Sequence, residues 1–358
     1  MSESRLKQFF YGGFYFVIQS VHMKKVFLIS VFLLQACTTF IPTSIESLTV
    51  AISPNISVDT FNQLNNDFEN ELKARLREEG YDVRNLELIL ASNNRQAGEM
   101  VISGLADIAF ISKLTYFDLK DQNLIPMLTQ LDFSYNLDPT NIDAWNDQTQ
   151  LEASKSLQPT HRAALYLGSS TYAMELRHKL NVGEQLTWID LNGAQWCHVL
   201  VTSLEGYIYP SLWLIENYNR RMAELFRSEL VVRGYDEMML RVANQECDIV
   251  VGPEDIRDQY ASKWSSEGFD RSASIYSELK LFALTDVIPH DVVVYLGGQF
   301  KHDEAFMLDL QNVLIELADT EVTNPLFEQM QIKGLIETSP ENFENYAKAY
   351  EYLQEIFK

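Results

Sequence analysis

The segment VLVTSLEGYIYP, residues 199–210, decides the fold of this chain. Its first four residues, mostly apolar, predict a buried strand. Residues 203–206 predict a turn, and an aromatic helix start then continues into SLWLIENYNRRM. A strand that ends in small polar residues and opens into a helix brings backbone N–H groups and hydroxyls to one point, which can hold a small anion without a metal. An ordinary strand–helix connection with a glycine in its turn explains the same residues.

The N-terminal part of the chain shows the order strand, helix, strand, helix, strand. Apolar patterns and turn residues predict strands at residues 47–52, 86–90 and 106–111, with helices at 61–79 and 99–103 between them. This order predicts parallel pairing with right-handed crossovers, and therefore an α/β lobe.

The same order returns after residue 195. Strands are predicted at 196–202, 230–232 and 247–251, with helices at 207–219 and 237–244. The segments GLADIAFI and QECDIVVG each join a helix end to an aspartate and an apolar strand. We therefore predict an α/β fold of two similar lobes with mixed, mostly parallel sheets.

The remaining segments give the predicted domain organisation. Strands at 163–168 and 279–285 are predicted to be the two crossover strands between lobes. Lobe 1 is then residues 48–162 plus 287–358, and lobe 2 is residues 163–286. The polar, acidic run at about 132–160 is predicted to be a surface insertion with little regular structure. Helices predicted at 303–319 and 343–357 are expected to pack on lobe 1.

The N-terminus predicts export. A basic MKK sequence at Met23 precedes an apolar run, and LQAC at 34–37 resembles a bacterial lipobox that would lipidate Cys37. We predict a signal peptide at 1–36, with Met23 as the true start, and a lipidated tether at 37–47. A plain signal peptide or a single membrane anchor are the alternatives.

Composition limits the function classes. The chain has 28 Lys and Arg against 50 Asp and Glu, a formal net charge of −22. The negative electrostatic potential of such a chain argues against binding to nucleic acid and against a peripheral anchor on anionic lipid. Cys197 and Cys247 both begin apolar strand candidates, and two buried free thiols are favoured over a bridge.

Enzyme motifs are lacking in the sequence. The six histidines form neither H-x-H nor H-E-x-x-H, and the chain has no G-x-S-x-G or G-x-x-x-x-G-K-[ST] sequence. Cys197 and His198 are strand neighbours and face opposite ways. We predict no enzyme activity, no catalytic residue, no metal and no cofactor.

Five segments carry a resemblance to a known family. They are SGLADIAFIS, IDLNGAQWCHVLVTS, EGYIYP, ANQECDIVVG and DVIPHDVVVY, in that order, and the resemblance covers roughly residues 48–330. The chain resembles the substrate-binding proteins of phosphate, phosphite and phosphonate ABC transporters. The resemblance implies the type-2 periplasmic binding-protein fold, a ligand held between the lobes, and an ABC permease as partner.

In that family the ligand's anionic group is held at a motif that reads roughly Ser-Thr-Ser-Gly-Tyr. Ser203, Gly206 and Tyr207 match it, whereas Leu204 and Glu205 replace two hydroxyl residues. A buried, unpaired carboxylate facing a phosphonate would cost on the order of several kcal/mol. The side chain of Glu205 therefore points outward, bonds a protonated phosphonate or a ligand amine, or marks a pocket with a different ligand.

Ligands of open α/β sheets bind outside the carboxyl ends of the strands. Each polar residue at these strand ends could instead be a capping or turn residue, and His290 could instead be a surface histidine at the hinge. The predicted ligand-binding residues are Ser53, Asn55, Ser92, Asn93, Ser112, Tyr116, Ser169, Ser170, Thr202, Ser203, Glu205, Gly206, Tyr207, Glu254, Asp255 and His290.

Together these features predict a lipid-anchored solute-binding protein of the cell envelope, on the periplasmic face or the cell surface. It captures a phosphonate, phosphite or phosphate between its lobes and delivers it to an ABC permease. The alternatives are a binding module that signals to a receptor or kinase, and a binding protein for a solute without phosphorus.

Overall fold

A computed structural model describes residues 42–53, 56–225, 230–266, 268–298, 302–319 and 324–358. The predicted signal peptide, the lipidation site Cys37 and the first residues of the predicted tether lie outside these ranges. Within them, no helix is both long and apolar enough to cross a membrane.

The strands alternate with helices along most of the chain. They are β1 (Thr43–Ile52), β2 (Tyr81–Leu90), β3 (Ile108–Ile111), β4 (Leu124–Gln130), β5 (Asp132–Tyr135), β6 (Lys155–Gln158), β7 (Thr160–Leu167), β8 (Trp196–His198), β9 (Leu230–Val231), β10 (Ile249–Pro253), β11 (Lys280–Pro289), β12 (Val292–Leu296) and β13 (Leu335–Glu337).

The α-helices cover both faces of the sheets and also form the C-terminus. They are α1 (Val58–Glu78), α2 (Asn94–Ile102), α3 (Lys113–Leu119), α4 (Ile142–Trp145), α5 (Gln148–Ser154), α6 (Thr171–Asn181), α7 (Trp188–Gly193), α8 (Tyr209–Tyr218), α9 (Tyr235–Ala243), α10 (Ile256–Ala261), α11 (Ile275–Glu278), α12 (Glu304–Ala318), α13 (Pro325–Gln329) and α14 (Glu344–Ile356).

The first sheet has the strand order β13-β4-β12-β3-β1-β2. Strand β1 is parallel to β2 and β3, and β12 is antiparallel to β3 and β4. Its core packs helix α1 against the C-terminal helices, with the ring centroids of Phe68 and Phe327 5.1 Å apart. Strand β1 begins at Thr43, inside the predicted tether, because Thr43 pairs with Tyr81 in β2.

The second sheet has the strand order β11-β7-β10-β8-β9. Strand β8 is parallel to β9 and β10, whereas β7 is antiparallel to both β10 and β11. The prediction of an α/β fold with two mixed sheets is confirmed, but the sheets are not mostly parallel. Four of the nine strand pairs described in the two sheets are parallel and five are antiparallel, because β7 and β12 each run against both of their neighbours.

The chain crosses between the two sheets just outside the strands predicted as crossovers. Those strands are β7 and β11, which are paired neighbours within the second sheet. The chain enters this sheet after the antiparallel β5–β6 hairpin and returns through His290 and Asp291, the two residues between β11 and β12.

The expectation that residues 132–160 lack regular structure is wrong, since they contain β5, α4, α5 and β6. A few apolar residues anchor this polar segment, because Tyr135, Trp145 and Leu151 are buried in the core of the second sheet. The guanidinium of Arg257 also donates to the Trp145 carbonyl oxygen at 2.5 Å. The polar composition of residues 132–160 gave no indication of these buried apolar residues.

Helix α14 packs against elements of both sheets, not against the first alone. The Tyr346 ring lies 4.8 Å from that of Phe117 in α3, on the side of the first sheet. The same helix also contacts β11 and the turn before α8, on the side of the second sheet. It therefore joins the two halves of the molecule.

Cys197 and Cys247 form a disulfide with a Cα–Cα distance of 5.7 Å. The expectation of two free thiols is wrong because Cys197 lies in β8 and Cys247 precedes β10, and these two strands are parallel neighbours. Such pairing brings two strand starts together whatever their separation along the chain.

Candidate functional site

The candidate site lies where one end of the first sheet approaches one end of the second sheet. In the first sheet, the ends of β1, β2, β3 and β4 share an edge with the start of β12. In the second sheet, the ends of β8, β10 and β11 share an edge with the start of β7. The two-residue connection between β11 and β12 runs from one edge to the other, so polar residues of both lobes converge there.

The turn at Ser203 is the centre of this site. The Ser203 hydroxyl accepts a hydrogen bond from the Gly206 N–H at 3.0 Å. Its carbonyl accepts from the N–H groups of Tyr207 and Ile208, at 3.1 and 2.9 Å. The second bond spans five residues, so the chain opens α8 with a wide, π-type turn (Leu204–Ile208). The preceding strand ends at His198, four residues earlier than predicted, because the chain turns before Ser203.

Glu205 lies in this turn and is held by two donors. Its Oε1 lies 2.8 Å from His161 Nε2, and its own backbone N–H donates to the carboxylate. Burial raises the pKa of Glu205, but the hydrogen bond and charge of His161, the backbone N–H and the charge of Lys113 outweigh it and lower the pKa to about 2. The side chain as a whole is 25% exposed.

The imidazole of His290 stacks on that of His161, with ring centroids 4.8 Å apart and planes 22° apart. Burial, followed by the charges of His161 and Lys113, lowers the pKa of His290 to about 3, and the charges of Asp132 and Glu205 oppose the shift. His290 is therefore neutral at pH 7. Its Nε2 is buried without a hydrogen-bond partner.

The first lobe contributes Lys113, at the start of α3. Its ammonium lies 3.6 Å from the carboxylate of Asp291, and its backbone N–H donates to the same carboxylate at 3.1 Å. The Lys113 side chain is largely buried. The ammonium of Lys113, which lies near Glu205, is thus already paired with Asp291 of the interlobe connection.

Glu254 and Asp255 follow β10 at the same edge but have structural partners. Buried Glu254 accepts hydrogen bonds from the Ser134 hydroxyl and from the Tyr135 N–H, and so fastens the β5–β6 hairpin. Asp255 accepts from the side chain of Gln259 at 2.9 Å. Burial raises the pKa of both carboxyl groups.

Several predicted residues act as helix caps. Asn93 caps α2, and Ser112 caps α3. Ser170 caps α6 and donates to the carboxylate of Asp248. Ser169 and Ser170 also lie at the far end of the second sheet, because β7 runs antiparallel to β10. The geometric reason for predicting these two as ligand contacts therefore fails.

The other predicted residues have varied positions. Ser53 is buried after β1, whereas Ser92 and Thr202 are exposed. Tyr116 packs on Phe117 and Phe343, and burial raises its pKa to about 12. Tyr207 packs against the imidazole of His198. Asn55 lies outside the described residues.

Three residues of the site, His161, Lys113 and Asp291, were not predicted. The antiparallel direction of β7 places its start, and therefore His161, at the edge where the parallel strands end. Lys113 directly follows Ser112, a predicted residue, but a lysine at a helix start carries no signal of its own.

A separate cavity of about 690 Å³ lies among α8, β11 and α14. Arg162, Tyr209, Trp213, Asp286 and Lys348 are among its lining residues, and none of the predicted ligand-binding residues lines it. In the part of the chain that the structure describes, no group of three or more His, Cys, Asp and Glu side chains could hold a metal.

Comparison with known proteins agrees with this architecture. The family model of periplasmic substrate-binding proteins of phosphonate ABC transporters matches residues 50–343. No curated protein matches the sequence.

Three solved structures illustrate the likeness. Mh-p37 of Mycoplasma hyorhinis, described as a candidate thiamine pyrophosphate transporter, is 12% identical, with 87% of this chain and 99% of that chain covered and a TM-score of 0.56. PhnD1 of Prochlorococcus marinus, in complex with methylphosphonate, is 14% identical, with 86% and 98% covered and a TM-score of 0.45. A phosphonate-transporter binding protein of Pseudomonas aeruginosa is 11% identical, with 86% and 87% covered and a TM-score of 0.43. At these identities, the Mycoplasma structure shows a shared fold and no more.

Proposed function

The chain belongs to the family of periplasmic substrate-binding proteins of phosphonate ABC transporters, and we propose that it captures a small polar solute between its lobes and delivers it to an ABC permease. The family is extracytoplasmic, and its members are transporter components, not enzymes.

One observation carries the proposal: polar side chains of both lobes meet at the interlobe connection. Glu205 follows β8 and His161 lies in β7 of the second sheet, Lys113 follows β3 of the first sheet, and His290 and Asp291 form the connection itself. The predicted lobe boundary after residue 162 assigns His161 to lobe 1 instead. A solute bound at this connection contacts both lobes at once. Hinge closure around such a solute favours the liganded shape, which a permease can then recognise.

The reference ligand for this family is a phosphorus oxyanion, since the matching family is that of phosphonate transporters. The turn that would receive this group contains Glu205, which is an anion itself. The second ligand class is a polar solute without an oxyanion, and Glu205 is the residue that distinguishes the two classes.

We also propose that Cys37 is lipidated and tethers the protein to a membrane. The support is the LQAC sequence after an apolar run. Intact mass measurement of the protein purified from membranes tests this proposal. A diacyl modification on Cys37 that is absent from Cys37→Ser supports it, and an unmodified wild-type protein overturns it.

Thermal melting of the protein with a solute panel tests the proposed function. The panel contains phosphate, phosphite, methylphosphonate, sulfate, amino acids and polyamines. A solute at about a hundred times its dissociation constant should add roughly 2.7 kcal/mol to the free energy of unfolding. We expect one solute class to raise the melting temperature and to be recovered unchanged.

A panel in which nothing binds contradicts solute capture, and turnover of a bound solute would point to an enzyme. The neighbouring genes separate transport from signalling. A permease and an ATPase gene support delivery, whereas a histidine kinase gene without them supports the sensing module.

A further inference from the structure

We infer that the Glu205 carboxylate occupies the position at which a ligand's anionic group would meet the turn, so that the site selects a solute with a hydrogen-bond donor, above all an ammonium group. This inference rests on the proposed function, because it names the ligand class of the same site. It makes Glu205 the specificity-determining residue.

Four backbone donors of the turn, the N–H groups of residues 205–208, are already in use. The N–H of Glu205 donates to its own carboxylate, and that of Gly206 donates to the Ser203 hydroxyl. The next two N–H groups, of Tyr207 and Ile208, donate to the Ser203 carbonyl. An oxyanion at this turn would have to displace the Glu205 carboxylate from its backbone donor.

The nearby basic side chains are also committed. His161 bonds Glu205 at 2.8 Å, and Lys113 pairs with Asp291 at 3.6 Å. His290 adds no positive charge because its pKa lies far below 7. An arriving oxyanion therefore meets one ionised carboxylate at short range, and in the described part of the chain neither His161 nor Lys113 is free to balance a second negative charge.

A donor-bearing solute meets complementary groups at the same place. The Glu205 side chain is 25% exposed, and a carboxylate has lone pairs beyond those that His161 and the backbone N–H use. An ammonium group can therefore bind Glu205 without breaking either bond. The neutral His290, stacked on His161, also leaves its buried Nε2 without a partner.

Calorimetric titration of the full-length protein in mild detergent tests the inference. The probes are methylphosphonate and phosphate on one side, and ethanolamine, putrescine and spermidine on the other. The variants are Glu205→Ser, which restores a hydroxyl, and Glu205→Gln, which keeps the shape but removes the charge. The control is Glu175→Ser, which removes one exposed carboxylate from α6 in the same lobe.

We expect wild type to bind at least one amine, and both Glu205 variants to bind it at least about tenfold more weakly. Glu205→Ser should gain methylphosphonate binding by a similar factor, and Glu175→Ser should match wild type. Melting curves show whether each variant is folded, and Glu205→Gln keeps the test valid if Glu205→Ser is not.

If wild type binds methylphosphonate or phosphate and Glu205→Ser does not bind it more tightly, the inference is overturned. Solute capture would then still stand. Amine binding that Glu205→Gln leaves unchanged also overturns it. If wild type and Glu205→Ser both fail to bind every probe and every other member of the melting panel, the proposed function itself is overturned.

Discussion

At the scale of single residues, the site combines an ionised acid with a neutral histidine. Glu205 stays charged because His161 and a backbone N–H stabilise its carboxylate. His290 stays neutral because burial disfavours its charged form, and the nearby His161 and Lys113 add to this effect. The shift of His290 affects stability from pH 6.5 downward and that of Glu205 only below about pH 4.5, so the range above pH 4.5 isolates His290.

His290 should make the protein less stable as the pH falls from 6.5 toward 3. In that window the unfolded chain takes up a proton on His290 and the folded chain does not, which costs up to about 1.4 kcal/mol per pH unit. We expect urea unfolding between pH 6.5 and 4.5 to show a shallower loss of stability in His290→Gln than in wild type. Parallel curves for the two proteins would show that folded His290 takes up its proton normally.

Gly206 should be intolerant of any side chain. A Cβ atom there would lie 2.1 Å from Val199 Cγ2 and 3.0 Å from Ser203 Oγ. We expect Gly206→Ala to lower the free energy of unfolding by about 1–3 kcal/mol through overpacking, as measured by urea unfolding.

Gly234 in the same lobe gives the matched control. Its backbone is extended, and a Cβ there meets nothing within 4 Å. Gly234→Ala should therefore leave the stability unchanged or raise it by up to about 1 kcal/mol. Equal effects of the two substitutions would contradict the described packing of the turn.

Sequence reasoning reached the residues of this turn because a helix start and its cap are local features. Ser203 and Gly206 are three residues apart and bond each other directly. It missed His161 because that residue joins the site through the direction of β7, a pairing between distant segments. For the same reason it wrongly assigned Ser169 and Ser170 to the site edge.

At the scale of elements, the disulfide ties two parallel strands of the second sheet. It joins β8 to the start of β10 across a sequence separation of 50. The sequence supplied both cysteines, but only the strand order shows that they are neighbours. The β5–β6 hairpin was missed in a similar way, because its burial depends on contacts such as that between Glu254 and Ser134.

Reduction of the disulfide should destabilise the protein, because the bond restricts a long loop of the unfolded chain. We expect a reductant to lower the free energy of unfolding of wild type by about 2–4 kcal/mol, as measured by urea unfolding. A variant with both Cys197→Ala and Cys247→Ala should have a lower free energy of unfolding than wild type without reductant, and this value should not change when the reductant is added. A wild type that is equally stable with and without reductant would argue against the bond.

At the scale of the whole molecule, the acidic charge complements the inferred ligand. A net charge of −22 attracts cations and repels phosphorus oxyanions before any contact is made. The association rate of a cationic solute should therefore fall when the ionic strength rises from 0.01 to 0.15 M, as the screening length drops from about 30 to about 8 Å. Stopped-flow measurement checks this, and a rate that rises with salt would contradict the inferred ligand charge.

The architecture of two mixed α/β sheets was predictable because the order of strands and helices limits the possible topologies. The position of α14 was not, since its apolar face contacts both Phe117 on one side and β11 on the other. An amphipathic pattern indicates that a helix packs, but it does not identify the partner. Lobe boundaries drawn from sequence order alone stay a prediction for the same reason.

The central claim is that a solute is held between the two lobes. Pulsed spin-label distances across the lobes test it most directly, with labels at Asp67→Cys in α1 and Glu175→Cys in α6, both exposed positions. The account predicts that a solute that raises the melting temperature also shifts the distances toward one shorter, narrower distribution. A solute that binds one to one and leaves the distribution unchanged would place its site outside the cleft and contradict the account.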